Sequence, residues 1–515
     1  MKSYILLLTA ISGLASAIPF TNIKIDNPYL VCKKFDINCK IEQSKLCYDE
    51  VFDCFKTNYQ QFMNCIMLSN LCNEIWLNNN NSNNNNNDKP TSEPQPTQIS
   101  EPVNTEPQPT QISEPVNTEP QPTQISEPVN TEPQPTQISE PVINNSFEPT
   151  KDNVKIIGRA KYMNNSLWVG HTDSGIEFKI NGKTVTIVVS TDGIYGSSSE
   201  ENPAHILVYG DDKLILDTYT TENPKELNVE FDEIGEHIVR LIKISECQYG
   251  SIYIDEIKTD SNVITPTSPK DKKIEFIGDS ITSAFGSVEN LGPCFTSFED
   301  GTKSYAYKVA QKFNVDYSIF SFSSYGIYSG YLGEPIRVTD FLIPPIYEKL
   351  GRLNWNFDYP ENTTLAMSSV DWDAKEFEPD LIVINLGTND AFYINSLSDE
   401  NLRATEQINF TNAYKDFITQ VRSVHPNSEI LCTIGSMGQF LYQEIENAVH
   451  AYVNETNDLK INAFQLNEQD IEKNGEGFFG HPGILSQVDS AYETISKIEE
   501  LYGWVSDPNV DINEN

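Results

Sequence analysis

The chain has 515 residues and a formal charge of −39 that is spread along its length, enough residues for several domains and at least one large core. A surface of that sign repels phosphate backbones and anionic lipid, which argues against nucleic acid and membrane as partners and leaves a neutral substrate, such as an uncharged polysaccharide, unopposed. After the N-terminus no stretch approaches the roughly 20 apolar residues of a membrane span.

Residues 1–17 have the layout of a secretory signal peptide: Lys2, the apolar run Ile5 to Leu8, and a small-residue end Ala15-Ser16-Ala17. The expected compartment is therefore extracellular. Sequons at Asn144, Asn164, Asn362, Asn409 and Asn454 fit it.

Six of the nine cysteines follow, within 18–77, as Cys32 and Cys39, Cys47 and Cys54, Cys65 and Cys72. Equal spacing by two helical turns puts each pair on one helix face, with segments 44–56 and 59–76 reading as helices. An antiparallel hairpin of these helices would pair Cys54 with Cys65 and Cys47 with Cys72, leaving Cys32 for Cys39 or a more distant arrangement; fifteen connectivities are open for six cysteines. Lacking histidine and C-x-x-C spacing, the module reads as disulfide-rich and helical and not as a zinc site. Its function is not legible in the sequence: binding carbohydrate, docking to a scaffold protein and only protecting the N-terminus are the alternatives.

Residues 78–150 form a linker. A nearly pure asparagine run, Asn78 to Asn87, precedes four copies of a thirteen-residue unit, E-P-Q-P-T-Q-I-S-E-P-V-N-T, slightly changed at the end. Proline-rich and poor in large apolar residues, it builds no packed core and is expected to be a disordered, semi-stiff spacer.

From 151 to 265 the pattern turns to short alternating runs. Gly175 to Gly182 leads into Thr184 to Val189; Ile206 to Tyr209, the turn Gly210-Asp211-Asp212 and Lys213 to Leu216 read as a hairpin; His237 to Ile244 and Ser251 to Ile257 close the set. This predicts a β-sandwich of the jelly-roll kind. Trp168 is read as a core side chain in preference to a sugar-stacking platform. His171, His205 and His237 lack ligand spacing and are read as ordinary polar or core positions.

Between 266 and 505 strand and helix patterns alternate. Strands are expected at 274–277, 316–322, Asp380 to Asn385, Glu429 to Ile434 and Lys460 to Gln465, helices at 303–313, 409–423, 440–455 and 484–501. The alternation predicts a parallel sheet covered on both faces. An acidic tail, 506–515, ends the chain.

Phe276-Ile277-Gly278-Asp279-Ser280 is an apolar run that breaks at glycine and hands a serine to a turn and helix at the sheet's carboxyl edge, where α/β folds place their chemistry. Ser323-Ser324-Tyr325-Gly326 follows the second expected strand and Asn385-Leu386-Gly387-Thr388-Asn389-Asp390 the third, while Gly480-His481-Pro482-Gly483 stands near the end. Four blocks carrying Ser280, Gly326, Asn389 and His481 in this order resemble the SGNH (GDSL-type) hydrolase superfamily. A jelly roll placed directly ahead, with I-N-L-G-T-N-D in the third block, is similar to carbohydrate esterase family 2, over about 154–504.

The resemblance implies an SGNH-hydrolase domain that removes acetyl groups from xylan, mannan and related sugars, with acetylated polysaccharide as the partner. Acyl transfer needs a nucleophile, a base and donors for the developing oxyanion. Ser280 and His481 are the expected catalytic pair. The backbone N–H groups of Ser280 and Gly326 and the side-chain amide of Asn389 are the expected oxyanion hole. No metal or organic cofactor is called for.

One position departs from the superfamily, in which an aspartate stands three residues before the histidine; here it is Phe478. The group that accepts from Nδ1–H is then a backbone carbonyl or a carboxylate such as Glu476 or Asp470, and a Ser-His dyad held by a main-chain carbonyl is favoured. Asp279 and Asp390 are expected to bond to backbone in their turns. In the aromatic-rich segment 330–373, Trp355 and Trp372 are candidates to hold a sugar ring, with core packing as the equal alternative.

Overall fold

The computed structural model describes residues 145–191, 203–288, 295–352, 358–359, 363–364 and 366–513. The expected signal peptide, the six-cysteine module, nearly all of the linker and Trp355 lie outside the described residues.

The last linker residues are not linker. Asn145–Phe147 is a strand paired antiparallel with Ile257–Thr259, so the β-domain begins before residue 151. The sandwich expected next is one continuous antiparallel sheet of ten strands, and this corrects the two-sheet reading. Its cause is length: Ser174–Thr191 and Lys225–Lys243 run 18 and 19 residues, past a register shift between Gly182 and Thr184 that sequence reading takes as a strand end. Such strands serve both walls of a curled sheet, which closes over Phe178, Ile187, Val208, Leu241 and Ile254. The predicted hairpin forms, with Asp211 and Asp212 both at positive φ as its two-residue turn demands.

In the α/β domain the five expected strands form one parallel sheet: β1 (Lys273–Gly278), β2 (Asp316–Ser321), β3 (Leu381–Asn385), β4 (Glu429–Ile434) and β5 (Ile461–Gln465), in the order β2-β1-β3-β4-β5. The helices are α1 (Tyr305–Phe313), α2 (Thr388–Ser396), α3 (Glu400–Val424), α4 (Tyr442–Thr456) and α5 (Ile484–Tyr502). Alternation along the strands sends Ile382 and Ile384 to one face, against Phe410 and Tyr414 of α3 and Ile445 of α4. Leu381 and Val383 meet Val309 of α1 and Ile495 of α5 on the other. α2 was not predicted, and α3 starts nine residues earlier than expected. Its first turns bury only Glu406, so no apolar period marks them, and the start is set by Asp399, which accepts the N–H groups of Asn401 and Leu402.

The two domains share a core. Ile157, Leu207, Ile242 and Ile244 of the β-domain pack with Ile274, Tyr305 and Leu381. Beside them Arg159 forms a buried ion pair of 2.9 Å with Glu275 of β1 and donates to the carbonyls of Tyr347 and Lys349. The expected acidic tail is also packed: Lys308 and Lys312 of α1 donate to the carbonyls of Ile512 and Val510, and Ile512 is buried.

Candidate active site

The strand order reverses between β1 and β3, and in open parallel sheets the crevice at such a switch point, beyond the carboxyl ends, is where ligands bind. Ser280 leaves β1 there and Asn389 leaves β3 there, in the first turn of α2. The last residue of β1 is a glycine, Gly278, where a Cβ would lie 2.0 Å from Thr282 Oγ1. The chain then makes turns only, with Ser283 N–H donating to Asp279 O, Phe285 N–H to Ser280 O and Ala284 at φ 59°, so the helix expected after Ser280 is a run of successive turns.

His481 arrives from the segment between β5 and α5. Its Nε2 lies 2.9 Å from Ser280 Oγ and its Nδ1 3.0 Å from the carbonyl of Phe478. That network selects the tautomer in which Nδ1–H donates to the carbonyl and Nε2 accepts from the hydroxyl. Asp470 is engaged elsewhere, accepting Lys473 N–H at the start of a helical turn. Burial holds the imidazole neutral, its pKa lowered to about 4 against the pull of the Phe478 and Phe479 carbonyls.

The loop that presents His481 is pinned to the turn that carries Ser280, Phe478 N–H donating to Gly286 O at 2.7 Å. Gln469 Nε2 donates to Gly480 O at 2.8 Å and Gly477 N–H to His481 O at 2.7 Å, and aromatic contacts add to these. Phe478 stacks on Phe298 at 4.1 Å, and Phe285 meets the imidazole edge-on at 5.0 Å. A phenylalanine at position 478 thus supplies packing through its ring and the acceptor through its carbonyl.

The donor side of the crevice is built from Asn389, Ser280 and the loop after β2. Asn389 Nδ2 donates to Tyr325 O at 2.8 Å and, more weakly, to Asp279 Oδ2 at 3.3 Å. The Ser280 N–H has no acceptor among the described residues. Gly326 differs from expectation: its N–H is committed to Phe341 O at 3.1 Å and is not a free donor. Its glycine is needed all the same, since a Cβ there would lie 2.0 Å from Ser329 O and 2.7 Å from Asp390 Oδ2. In the Ser323–Gly326 turn of this loop, the N–H without an acceptor among the described residues is that of Ser324, held at φ 69°. A serine in the left-handed region costs of order 1–2 kcal/mol relative to glycine, and such strain concentrates at working sites.

Two buried aspartates frame these donors. Asp279 accepts Ile281 N–H within its own turn, as expected, and burial raises its pKa to about 7. Asp390 bonds to backbone too, but to another loop: it accepts the N–H groups of Ile327, Tyr328 and Ser329. Burial outweighs those three donors and raises its pKa to about 6.

The tryptophans take packing positions. Trp168 is fully buried and stacks on Tyr253, which removes it as a sugar platform. Trp372 sits in the same cluster, with Leu350, Met367 and, over its ring at 5.6 Å, the guanidinium of Arg159. Trp372 is half-buried there, at the domain junction. Among the described residues no three His, Cys, Asp or Glu side chains gather into a metal-holding group, and no helix is long and apolar enough to cross a membrane.

A sheet of this order with Ser, Asn and His converging at its switch point defines the class, a GDSL-type serine hydrolase. Residues 274–480 match the GDSL-like lipase/acylhydrolase family and residues 156–268 match the carbohydrate esterase 2 N-terminal family. The chain therefore carries a GDSL-type hydrolase domain behind a carbohydrate esterase 2 N-terminal domain.

Among its relatives, the cellulase/esterase CelE of Acetivibrio thermocellus is 28% identical over 370 residues, 70% of this chain and 41% of that protein. An acetylxylan esterase/glucomannan deacetylase of Cellvibrio japonicus is 24% identical over 289 residues, 52% of this chain and 75% of its own length. In fold it is similar to the acetyl xylan esterase Est2A of Butyrivibrio proteoclasticus, with a TM-score of 0.60 and 22% identity over 70% of this chain and 99% of that one. A family two carbohydrate esterase from Clostridium thermocellum, solved with cellohexaose, gives a TM-score of 0.55 at 24% identity, over 68% and 100%. The chain thus spans less than half the length of CelE.

Proposed function

We propose that this protein is a secreted serine esterase that removes O-acetyl groups from plant cell-wall polysaccharide, xylan or glucomannan. The observation that carries the reading is the 2.9 Å contact between His481 Nε2 and Ser280 Oγ at the sheet's switch point. The carbohydrate esterase 2 N-terminal domain and the deacetylases among the relatives support the substrate class.

In this reading Ser280 Oγ attacks the acetyl carbonyl carbon while its proton passes to His481 Nε2. The carbonyl oxygen becomes an oxyanion and accepts from the N–H groups of Ser280 and Ser324 and from Asn389 Nδ2, whose long contact to Asp279 is the one given up. The bond from the acetyl carbon to the sugar oxygen breaks, His481 returns its proton to that oxygen, and acetyl-Ser280 remains. Water repeats the sequence, releasing acetate and restoring the serine. Phe478 O holds the imidazole through both halves, and the first turn of α2 adds the positive end of a helix dipole behind Asn389.

The test is hydrolysis of p-nitrophenyl acetate and p-nitrophenyl palmitate, and acetate release from acetylated xylan and acetylated glucomannan, by the wild type and by Ser280→Ala. The variant is expected to lose about 10⁴-fold or more in kcat. Wild-type activity confined to long acyl chains would turn the reading to a lipolytic enzyme of the same fold. Persistence of activity in Ser280→Ala would overturn the nucleophile.

A further inference from the structure

Glu246 lies in the β-domain, between the strands Lys225–Lys243 and Ile252–Thr259, yet its side chain ends beneath the crevice of the other domain. Oε2 accepts the backbone N–H of Ser323 at 2.8 Å; Oε1 accepts the Ser323 hydroxyl and, at 3.0 Å, the Ser283 hydroxyl. One fully buried carboxyl group therefore grips the residue next to the strained Ser324 and the turn that carries Ser280.

A third element is tied to the same group. Glu246 N–H donates to Glu299 Oε2 at 2.8 Å, and the Glu299 carboxyl lies against that of Glu246. Burial, and after it the neighbouring charge of Glu246, hold the Glu299 pKa well above the usual carboxylate range. The segment around Glu299 bridges to Phe285 and supplies Phe298 to the stack on Phe478. Behind it all Lys243, fully buried, donates to the carbonyls of Gly170, Ser245 and Glu246 and fixes the loop from which Glu246 reaches out.

We propose that Glu246 is a positioning residue for the hydrolase site: the β-domain inserts it as a strut that sets the Ser323-Ser324 loop, and with it the backbone donor of Ser324, against Ser280. It touches neither substrate nor the reacting oxygen. The β-domain is then part of the catalytic apparatus, and not solely an attachment to it. The inference rests on the oxyanion role given to Ser324 above.

The discriminating variants of the full chain are Glu246→Ala, which removes the acceptor; Glu246→Asp, which keeps the charge but shortens the arm; and Glu246→Gln, which keeps an acceptor oxygen and the reach. Two readouts are taken on protein shown folded by near-ultraviolet circular dichroism: kcat and KM for acetyl esters, and the rate at which a fluorophosphonate probe labels Ser280, which needs the oxyanion site but no particular acyl substrate. Alanine and aspartate are expected to lower kcat and the labelling rate together by about a hundredfold, the scale of one lost oxyanion donor, with KM changed less than about threefold. Glutamine is expected to retain both within about tenfold. If alanine fails to fold, the contrast between aspartate and glutamine decides alone. Wild-type rates in Glu246→Asp, or a glutamine variant as impaired as aspartate, would overturn the proposal. A wild type that the probe labels but that releases no acetate defeats the substrate assignment only, and the labelling rates still judge Glu246. A wild type that is neither labelled nor active defeats both.

Discussion

The two ends of this crevice are held by opposite means. At the base end His481 is surrounded by Phe285, by the Phe298–Phe478 stack and by backbone carbonyls, with its Nδ1 on Phe478 O. At the donor end the backbone is gripped by buried carboxyl groups, Asp390 on three consecutive N–H groups and Glu246 on Ser323. In the proposed reaction the difference follows from two tasks. A base must start neutral, and an apolar setting that depresses an imidazole pKa provides that. Oxyanion donors must be stiff before charge develops, and buried acceptors that saturate the neighbouring N–H groups make them so.

The largest effect expected from breaking the donor end is at Asn389. Asn389→Ala removes a side-chain donor and should lower kcat by about 10²–10³-fold with little change in KM, read from steady-state kinetics on p-nitrophenyl acetate. A loss confined to KM would mean that the amide binds substrate and does not stabilise the oxyanion. Next comes Asp390→Asn. The amide keeps one acceptor oxygen for Tyr328 and Ser329 N–H but turns an NH₂ toward Ile327 N–H, leaving a buried donor unmatched. Unfolding in urea should show a loss of about 1–3 kcal/mol, and kcat should fall by roughly tenfold, because the loop after β2 is loosened without losing a donor of its own.

How much of this was readable in the sequence follows from where the information lies. Leu381–Asn385 is nearly all apolar, and the other strands, though interrupted by residues such as Glu275, Ser318 and Asn462, alternate with helical patterns and are punctuated by Gly278 and Gly387, so the sheet and the placing of Ser280 and Asn389 at its carboxyl edge are legible in the sequence. Ser174–Thr191 was read as two strands because Gly182 looks like an end when it is a bulge. α2 was invisible because its polar first turn serves the crevice. Gly326 drew attention as the residue type that suits close approach; its N–H is nevertheless spent on Phe341, and the unmatched donor belongs to Ser324, whose φ no composition reveals. Glu246 is 37 and 77 positions from the residues it holds. A pairing across two domains leaves no local pattern to read.

The base end can be sharpened with a smaller perturbation. With its pKa lowered to about 4, His481 stays unprotonated as the pH falls through the range where a free imidazole gains its proton, near 6.5. The acid limb of kcat/KM in the wild type should therefore fall near pH 4, and activity should be undiminished at pH 5.5. Phe478→Asp adds a carboxylate at the position where most SGNH hydrolases carry one. A negative charge near Nδ1 favours the imidazolium and raises its pKa, so the acid limb should move upward by about one to three pH units, with the plateau rate changed less than about tenfold. Because the substitution also removes the ring that stacks on Phe298, Phe478→Leu is the control: it loses the stack without adding charge and should leave the limb near pH 4. If the leucine variant shifts the limb as far as the aspartate variant does, the depressed pKa comes from the aromatic enclosure and not from the lack of a carboxylate. If neither moves it, the limb reports a group other than His481, and Asp279, raised to about 7 by burial, is excluded or implicated by the same profile in Asp279→Asn.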